Sequence, residues 1–230
     1  MILYGRNPVR EALRAGRRRV LRVWATDSFE GADVTRASAE EIERLCGSPD
    51  HQGVCAEVEA YPYADEATLL AAGDALVLVL DQVQDPHNLG AVARVAEAAG
   101  ASGIVIPERR AAEVTPAVCK ASAGAVEHLP IARVRNVADW LGEAKEAEAW
   151  VYGADADASV AWDSPDYSGR VVLVLGSEGS GLRPRVAAAC DELVSLPIRG
   201  RVGSLNVSTA AAALVYGILH LRGAGLDRGP

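Results

Sequence analysis

From position 75 onward, short runs rich in Val, Ile and Leu alternate with longer segments of mixed polarity, a rhythm that predicts strands separated by helices. Strands are expected over 75–80, 103–106, 129–133, 149–153, 171–175 and 193–197, and helices over 89–99, 116–121, 137–146, 184–189 and 208–221. Most of these runs are continuous apolar stretches without a polar face. Such strands belong to a mainly parallel sheet with helices on both faces, hence an α/β fold. Residues 1–60 follow a different pattern. A helix runs from Asn7-Pro8 to Gly16, a strand covers 20–25, a short helix 39–45 and a second strand 53–60. The chain therefore divides into a small N-terminal αβ domain (1–60), a linker at 61–74 with a short helix over 66–71, a larger α/β domain at 75–224 and a tail at 225–230. No internal repeat or low-complexity tract interrupts this plan.

The pattern also excludes several classes. Half of the 230 residues are hydrophobic, which fits a globular core, yet no apolar run approaches the roughly 18 residues of a membrane span. The N-terminus has no apolar signal core, so a cytoplasmic location is expected. Cys46, Cys55, Cys119 and Cys190 form no Cys-x-x-Cys, and the four histidines form no ligand pair; reduced, buried thiols and no metal are expected.

Net charge is −8, which argues against a nucleic-acid partner until its distribution is considered. Arg6, Arg10, Arg14, Arg17, Arg18, Arg19 and Arg22 face a single acid, Glu11, within the first 24 positions, and Arg183, Arg185, Arg199 and Arg201 form a second basic group. Acids concentrate over 139–166, read as a solvated face. Two basic patches on an acidic body suit a phosphate backbone, although an Arg-rich helix is also compatible with plain solvation.

Ligands of a parallel sheet bind beyond the carboxyl ends of its strands, which directs attention to loops 81–88, 176–182 and 197–205. The loop Gly176-Ser-Glu-Gly-Ser-Gly-Leu182 has the wrong glycine spacing for a dinucleotide fingerprint, and Leu182 stands where a P-loop needs lysine. Its Glu178 repels phosphate, so a neutral or cationic ligand fits better than a polyphosphate. In Asp85-Pro-His-Asn-Leu-Gly90, Asn88 is placed to cap the following helix, on which Arg94 lies under two turns further on. In Pro197 to Ser208, the polar trio Ser204, Asn206 and Ser208 exceeds what a helix cap requires.

These three stretches, Asp85 to Arg94, Leu175 to Leu182 and Pro197 to Ser208, occur in order and resemble the three motifs of the SpoU–TrmH family of 2′-O-ribose RNA methyltransferases, within the SPOUT superfamily. Tyr4-Gly-Arg-Asn-Pro-Val-Arg-Glu-Ala-Leu13 and His51-Gln-Gly53 further resemble the RlmB-type branch, which modifies a guanosine of 23S rRNA and carries a ribosomal-protein-like RNA-binding domain. The chain departs from that branch in the little room it leaves between Asp27 and Glu40. The resemblance implies S-adenosylmethionine as cofactor, a C-terminal trefoil knot, a homodimer, RNA as partner and no metal. It implies cofactor contacts at Gly176, Leu196, Ile198 and Leu205, and a catalytic group of Arg94, Asn88, Glu178, Ser204 and Asn206. The family's proposed mechanism has Arg94 activate the ribose hydroxyl. A guanidinium with pKa above about 12 and no lone pair is a poor base, so stabilising the forming alkoxide and gripping the adjacent phosphate is the better role. The same chemistry on another RNA, transfer RNA or an antibiotic-site nucleotide, remains open, as does a non-catalytic RNA-binding protein.

Overall fold

Residues 1–223 are described by the computed structural model and build two sheets; the tail at 225–230 lies outside the described residues. Strands β1 (Ile2–Tyr4), β2 (Val20–Ala25), β3 (Val34–Arg36) and β4 (Val54–Val58) pair in the order β1-β4-β2-β3, with helices α1 (Arg6–Ala15) and α2 (Ala39–Cys46) between them in sequence. The second sheet contains β5 (Leu76–Asp81), β6 (Gly103–Pro107), β7 (Ile131–Val134), β8 (Trp150–Ala154), β9 (Val160–Ala161), β10 (Val171–Gly176) and β11 (Glu192–Ser195). Its order is β7-β6-β5-β10-β8-β11-β9, and every pairing is parallel. Its helices are α3 (Pro86–Ala98), α4 (Pro116–Ala121), α5 (Val137–Glu146), α6 (Pro184–Ala189) and α7 (Val207–Leu221).

Strand geometry explains how one apolar run serves two cores, because successive side chains point to opposite faces. Leu78 and Leu80 of β5 and Leu173 and Leu175 of β10 join Leu89 of α3 and Leu214 of α7 on one face. Val77, Val79, Val172 and Val174 join Leu141 of α5 and Val186 of α6 on the other. Each such side chain, fully buried, contributes about 1.5–3 kcal/mol. Gly90 lets α3 approach α4 closely: a Cβ there would lie 2.5 Å from that of Ala121.

Three short strands, β1, β3 and β9, carry no signal in the sequence pattern because two or three residues are too few to show a period. β3 occupies the short stretch between Asp27 and Glu40. Helix α3 also starts three residues earlier than expected, and Asp85, not Asn88, is its N-cap: the Asp85 carboxylate accepts from the His87 amide at 2.8 Å, and Pro86 fills the first turn.

The N-terminal unit docks on the larger one through buried polar contacts. Arg18 and Glu127 form an ion pair with both side chains buried, and the Arg18 Nη1 also donates to the Glu59 carbonyl at 3.2 Å. The Arg17 guanidinium donates to the Leu129 carbonyl at 3.0 Å. The Tyr61 hydroxyl lies 3.0 Å from the carbonyls of Val126 and Leu129 and donates to one at a time. Two of the seven N-terminal arginines are thus structural and unavailable to a nucleic acid, a distinction that charge counting misses. Arg6, Arg14, Arg19 and Arg22 remain exposed. Residues 61–70 are packed: Tyr61, Leu69 and Leu70 are buried, and the Ala64 amide donates to the Ile131 carbonyl at 2.9 Å. No helix among the described residues is long and apolar enough to cross a membrane.

Candidate active site

Every strand of the parallel sheet points its carboxyl end to one edge, so the loops after β5, β10 and β11 meet there. Insertion of β10 beside β5 aligns Gly176 with Asp81 across the pair. Asp81 is fully buried, and its carboxylate accepts from the Arg183 amide at 3.0 Å and the Arg183 Nε at 2.8 Å. That clamp fixes the far end of the Gly-rich loop. Within the loop, the Ser177 amide donates to the Gly181 carbonyl at 3.2 Å and the Gly181 amide to Ser177 at 3.0 Å. The turn folds back so tightly that a Cβ on Gly176 would stand 2.2 Å from the Gly181 carbonyl carbon. Only glycine fits position 176. Arg183 belongs to this clamp, and Arg185 pairs with Asp139 at 2.6 Å, so the second basic group reduces to the exposed Arg199 and Arg201.

Asn88, Glu178 and Asn206, far apart in sequence, converge. The Asn88 Nδ2 donates to Glu178 Oε1 at 2.9 Å, and the Asn206 Nδ2 reaches both Asn88 Oδ1, at 3.0 Å, and Glu178 Oε1. Asn206 is also the N-cap of α7, its Oδ1 accepting from the Ser208 amide at 2.8 Å. One side chain thus starts the helix and also joins the cluster, so capping alone does not exhaust its contacts. Ser204 is exposed nearby and makes no hydrogen bond among the described residues. Arg94 is not drawn into the cluster. It lies exposed on α3 with no hydrogen bond or ion pair among the described residues.

Beside the cluster is a cavity of about 380 Å³, within the ordinary range of small-molecule sites. Gly176, Leu196, Ile198 and Leu205 all line it, as does Ser204. So do Asp155 and Asp157, on the loop after β8, which the sequence pattern places on a solvated acidic face. Only the register of β8 against β10, and not any local signal, brings these two acids to the cavity. Glu178 completes three acids in the wall, and no arginine or lysine among the described residues lines it. Such a wall rejects polyphosphates and favours a ligand with positive charge. A second cleft of about 310 Å³, lined by Gln82, Gln84 and Asn88, adjoins it and shares Ser177 and Glu178. The thiols stand apart from this chemistry. Cys55 and Cys119 are buried, Cys46 and Cys190 half-buried, and burial raises the pKa of Cys55 to about 11 and of Cys119 and Cys190 to about 12.

Comparison with known proteins follows the same division of the chain. Residues 75–216 match the model of the SpoU rRNA methylase family, and residues 2–64 match one for RNA 2′-O ribose methyltransferase substrate binding. YacO of Bacillus subtilis (strain 168), whose name assigns it to the TrmH family of tRNA/rRNA methyltransferases, is 39% identical over 237 residues, covering 95% of this chain and 94% of its own. The SpoU methyltransferase AviRb from Streptomyces viridochromogenes, solved in complex with AdoMet, superposes with a TM-score of 0.82 at 26% identity, covering 98% of this chain and 91% of its own. An AdoMet-bound rRNA methyltransferase from Sinorhizobium meliloti gives 0.81 at 27% identity, covering 95% and 86%.

Proposed function

The chain belongs to the SpoU rRNA methylase family, and from that premise we propose that it methylates a ribose 2′-hydroxyl in RNA, at a guanosine of 23S rRNA, using S-adenosylmethionine. The observation that carries the reading is the acid-walled cavity, with no cation among the described residues that line it, that meets a polar cleft at Glu178. S-adenosylmethionine, when bound, supplies an electrophilic methyl on a positively charged sulfonium. The chain's residues fit that group: Leu196, Ile198 and Leu205 offer apolar contact, the folded-back turn at Gly176 presents backbone, and Asp155, Asp157 and Glu178 supply negative charge. The adjoining cleft takes the acceptor nucleoside, with Gln82 and Gln84 as hydrogen-bonding groups. Asn88 and Asn206 hold the Glu178 carboxylate between the two spaces, so that sugar and methyl donor are positioned against one fixed group. Ser204, at the rim, orients the ribose. Arg94 stabilises the alkoxide that forms as the hydroxyl gives up its proton to solvent water, and grips the neighbouring phosphate. Residues 1–60 contribute RNA affinity through their exposed arginines. The reading carries with it a C-terminal trefoil knot and a cytoplasmic location.

The test has two arms. Calorimetry should show one S-adenosylmethionine bound per chain and no response to ATP or NAD. Nucleoside analysis of RNA from cells with and without the gene should show loss of a single 2′-O-methylguanosine from 23S rRNA. A loss confined to transfer RNA would move the target and keep the reaction; no lost methyl in any RNA, or binding of ATP or NAD alone, would sink the assignment.

A homodimer forms part of the same reading. Helix α7 buries Ala211, Leu214, Val215 and Ile218, yet leaves Tyr216 exposed on its opposite side and Leu221 exposed at the margin of the buried stripe. Large apolar side chains left exposed on a helix suit a subunit contact. Sedimentation at micromolar concentration should give twice the chain mass of 24.1 kDa; a stable monomer would refute this surface as an interface.

A further inference from the structure

Loop 108–114, which leaves the carboxyl end of β6, carries adjacent arginines at 109 and 110. Both are exposed, and neither makes a hydrogen bond or ion pair among the described residues. The loop is nonetheless firmly placed. The Glu108 amide donates to the Val134 carbonyl, the Ala112 amide to the Val83 carbonyl and the Val114 amide to the Tyr63 hydroxyl, each at 2.9 Å. It is therefore tied to the segment that leads into Asn88 on one side and to the N-terminal unit's connection on the other. Arg110 itself sits at φ +59°, a left-handed conformation that a side chain bearing a Cβ adopts at a cost. A loop that only had to turn would do so more easily with glycine or asparagine at that position. Arg135 follows β7 on the neighbouring strand and is exposed as well. Of the two acids in the loop, Glu113 is held by Arg133 at 3.3 Å, whose guanidinium lies 4.3 Å from the Tyr63 ring centre; Glu108 stays exposed.

From this placement we infer that Arg109, Arg110 and Arg135 form a strip that grips RNA phosphates and leads the strand into the cleft at Asn88 and Glu178. The inference rests on the reading of the protein as an RNA methyltransferase and adds the path of its substrate. β7, β6 and β5 are neighbours and parallel, so their carboxyl-end loops stand side by side at the sheet's usual spacing of about 4.8 Å per strand. A guanidinium fork matches a phosphate with two hydrogen bonds, and a backbone fixed at three points presents the forks with little ordering left to do on binding. The left-handed residue is then strain held at a working position.

The strain makes the proposal sharply testable with the full-length chain. Arg110→Gly removes the side chain and relieves the backbone together. It should raise the melting temperature by about 2–4 °C, while weakening binding of total ribosomal RNA from cells lacking the gene by about 5- to 10-fold at 0.1 M salt. The slope of log affinity against log salt should fall by about one, and by about two in an Arg109→Ser, Arg110→Ser double variant. KM for RNA should rise with kcat and S-adenosylmethionine affinity unchanged. Wild-type RNA affinity and salt slope in both variants would overturn the strip, as would a slope that falls only in Arg135→Ser. A wild-type chain that binds this RNA but transfers no methyl to it would count against the reaction instead, and the slopes would still decide the strip.

Discussion

Replacing Arg94 by alanine is expected to lower methyl transfer at least about 100-fold, the usual scale for losing one donor at a developing negative charge. S-adenosylmethionine affinity stays at the wild-type level, because none of the residues lining the cavity is Arg94. The fold keeps the two effects separable. Arg94 is exposed and unpartnered among the described residues, and surface substitutions of that kind change stability by less than about 0.5 kcal/mol. Lost turnover is then lost chemistry. Lysine at the same position is expected not to restore it, because one compact ammonium cannot contact sugar oxygen and phosphate as a planar fork would. Single-turnover methylation of the true RNA, with cofactor affinity measured alongside, distinguishes the possibilities. A near-normal rate for Arg94→Ala would make the residue an ordinary solvent-facing side chain and shift attention to Glu178 and Ser204.

The second large effect lies far from the site. Glu127→Ala leaves the Arg18 guanidinium buried without its counter-charge, and breaking such a pair costs about 3–5 kcal/mol. Arg18→Ala orphans Glu127 in the same way. Both side chains are almost wholly enclosed, so water cannot substitute for the missing partner. Replacing both together by methionine costs much less than either alanine change, because no isolated charge remains. Denaturant titration of the three variants tests this. Equal destabilisation by the single and double replacements would show that packing, and not the charge pair, joins the two units.

Several elements are legible in the amino-acid sequence because the chain marks them locally. Helices α4, α5 and α6 begin and end where proline or asparagine at the start and the return to apolar runs at the end place them. The strands of the large sheet show as runs of branched aliphatics, to within two residues at most ends. The site is legible in part. Asn88, Glu178 and Asn206 stand out as polar residues in glycine-containing loops, yet nothing in their spacing shows that they touch. Their contact follows from β10 entering the sheet next to β5, a long-range event without a local signature. The same blindness explains Asp155 and Asp157, which look like surface acids until β8 lines up with β10, and Arg18, which looks like one of seven solvated bases until Glu127 arrives from the other unit. Asn88 misleads for a local reason: Asp85 and Pro86 together make the better helix start.

The position of β10 has a kinetic corollary. Leu76 of the first strand in the large sheet meets Val171 of the second-last in register, across some ninety-five residues of chain. On a ribosome, β5, β6 and β7 emerge and pair early, with one side of β5 open to solvent until β10 is synthesised. Closing so long a loop carries an entropic penalty before any contact repays it, which slows acquisition of such topologies. The small first sheet, by contrast, is complete once Val58 has emerged, and can be in place while the rest is still being made. During that interval a bare edge of Leu and Val is on offer to any other nascent chain, so the yield of native protein depends on elongation rate and on whatever shields that edge.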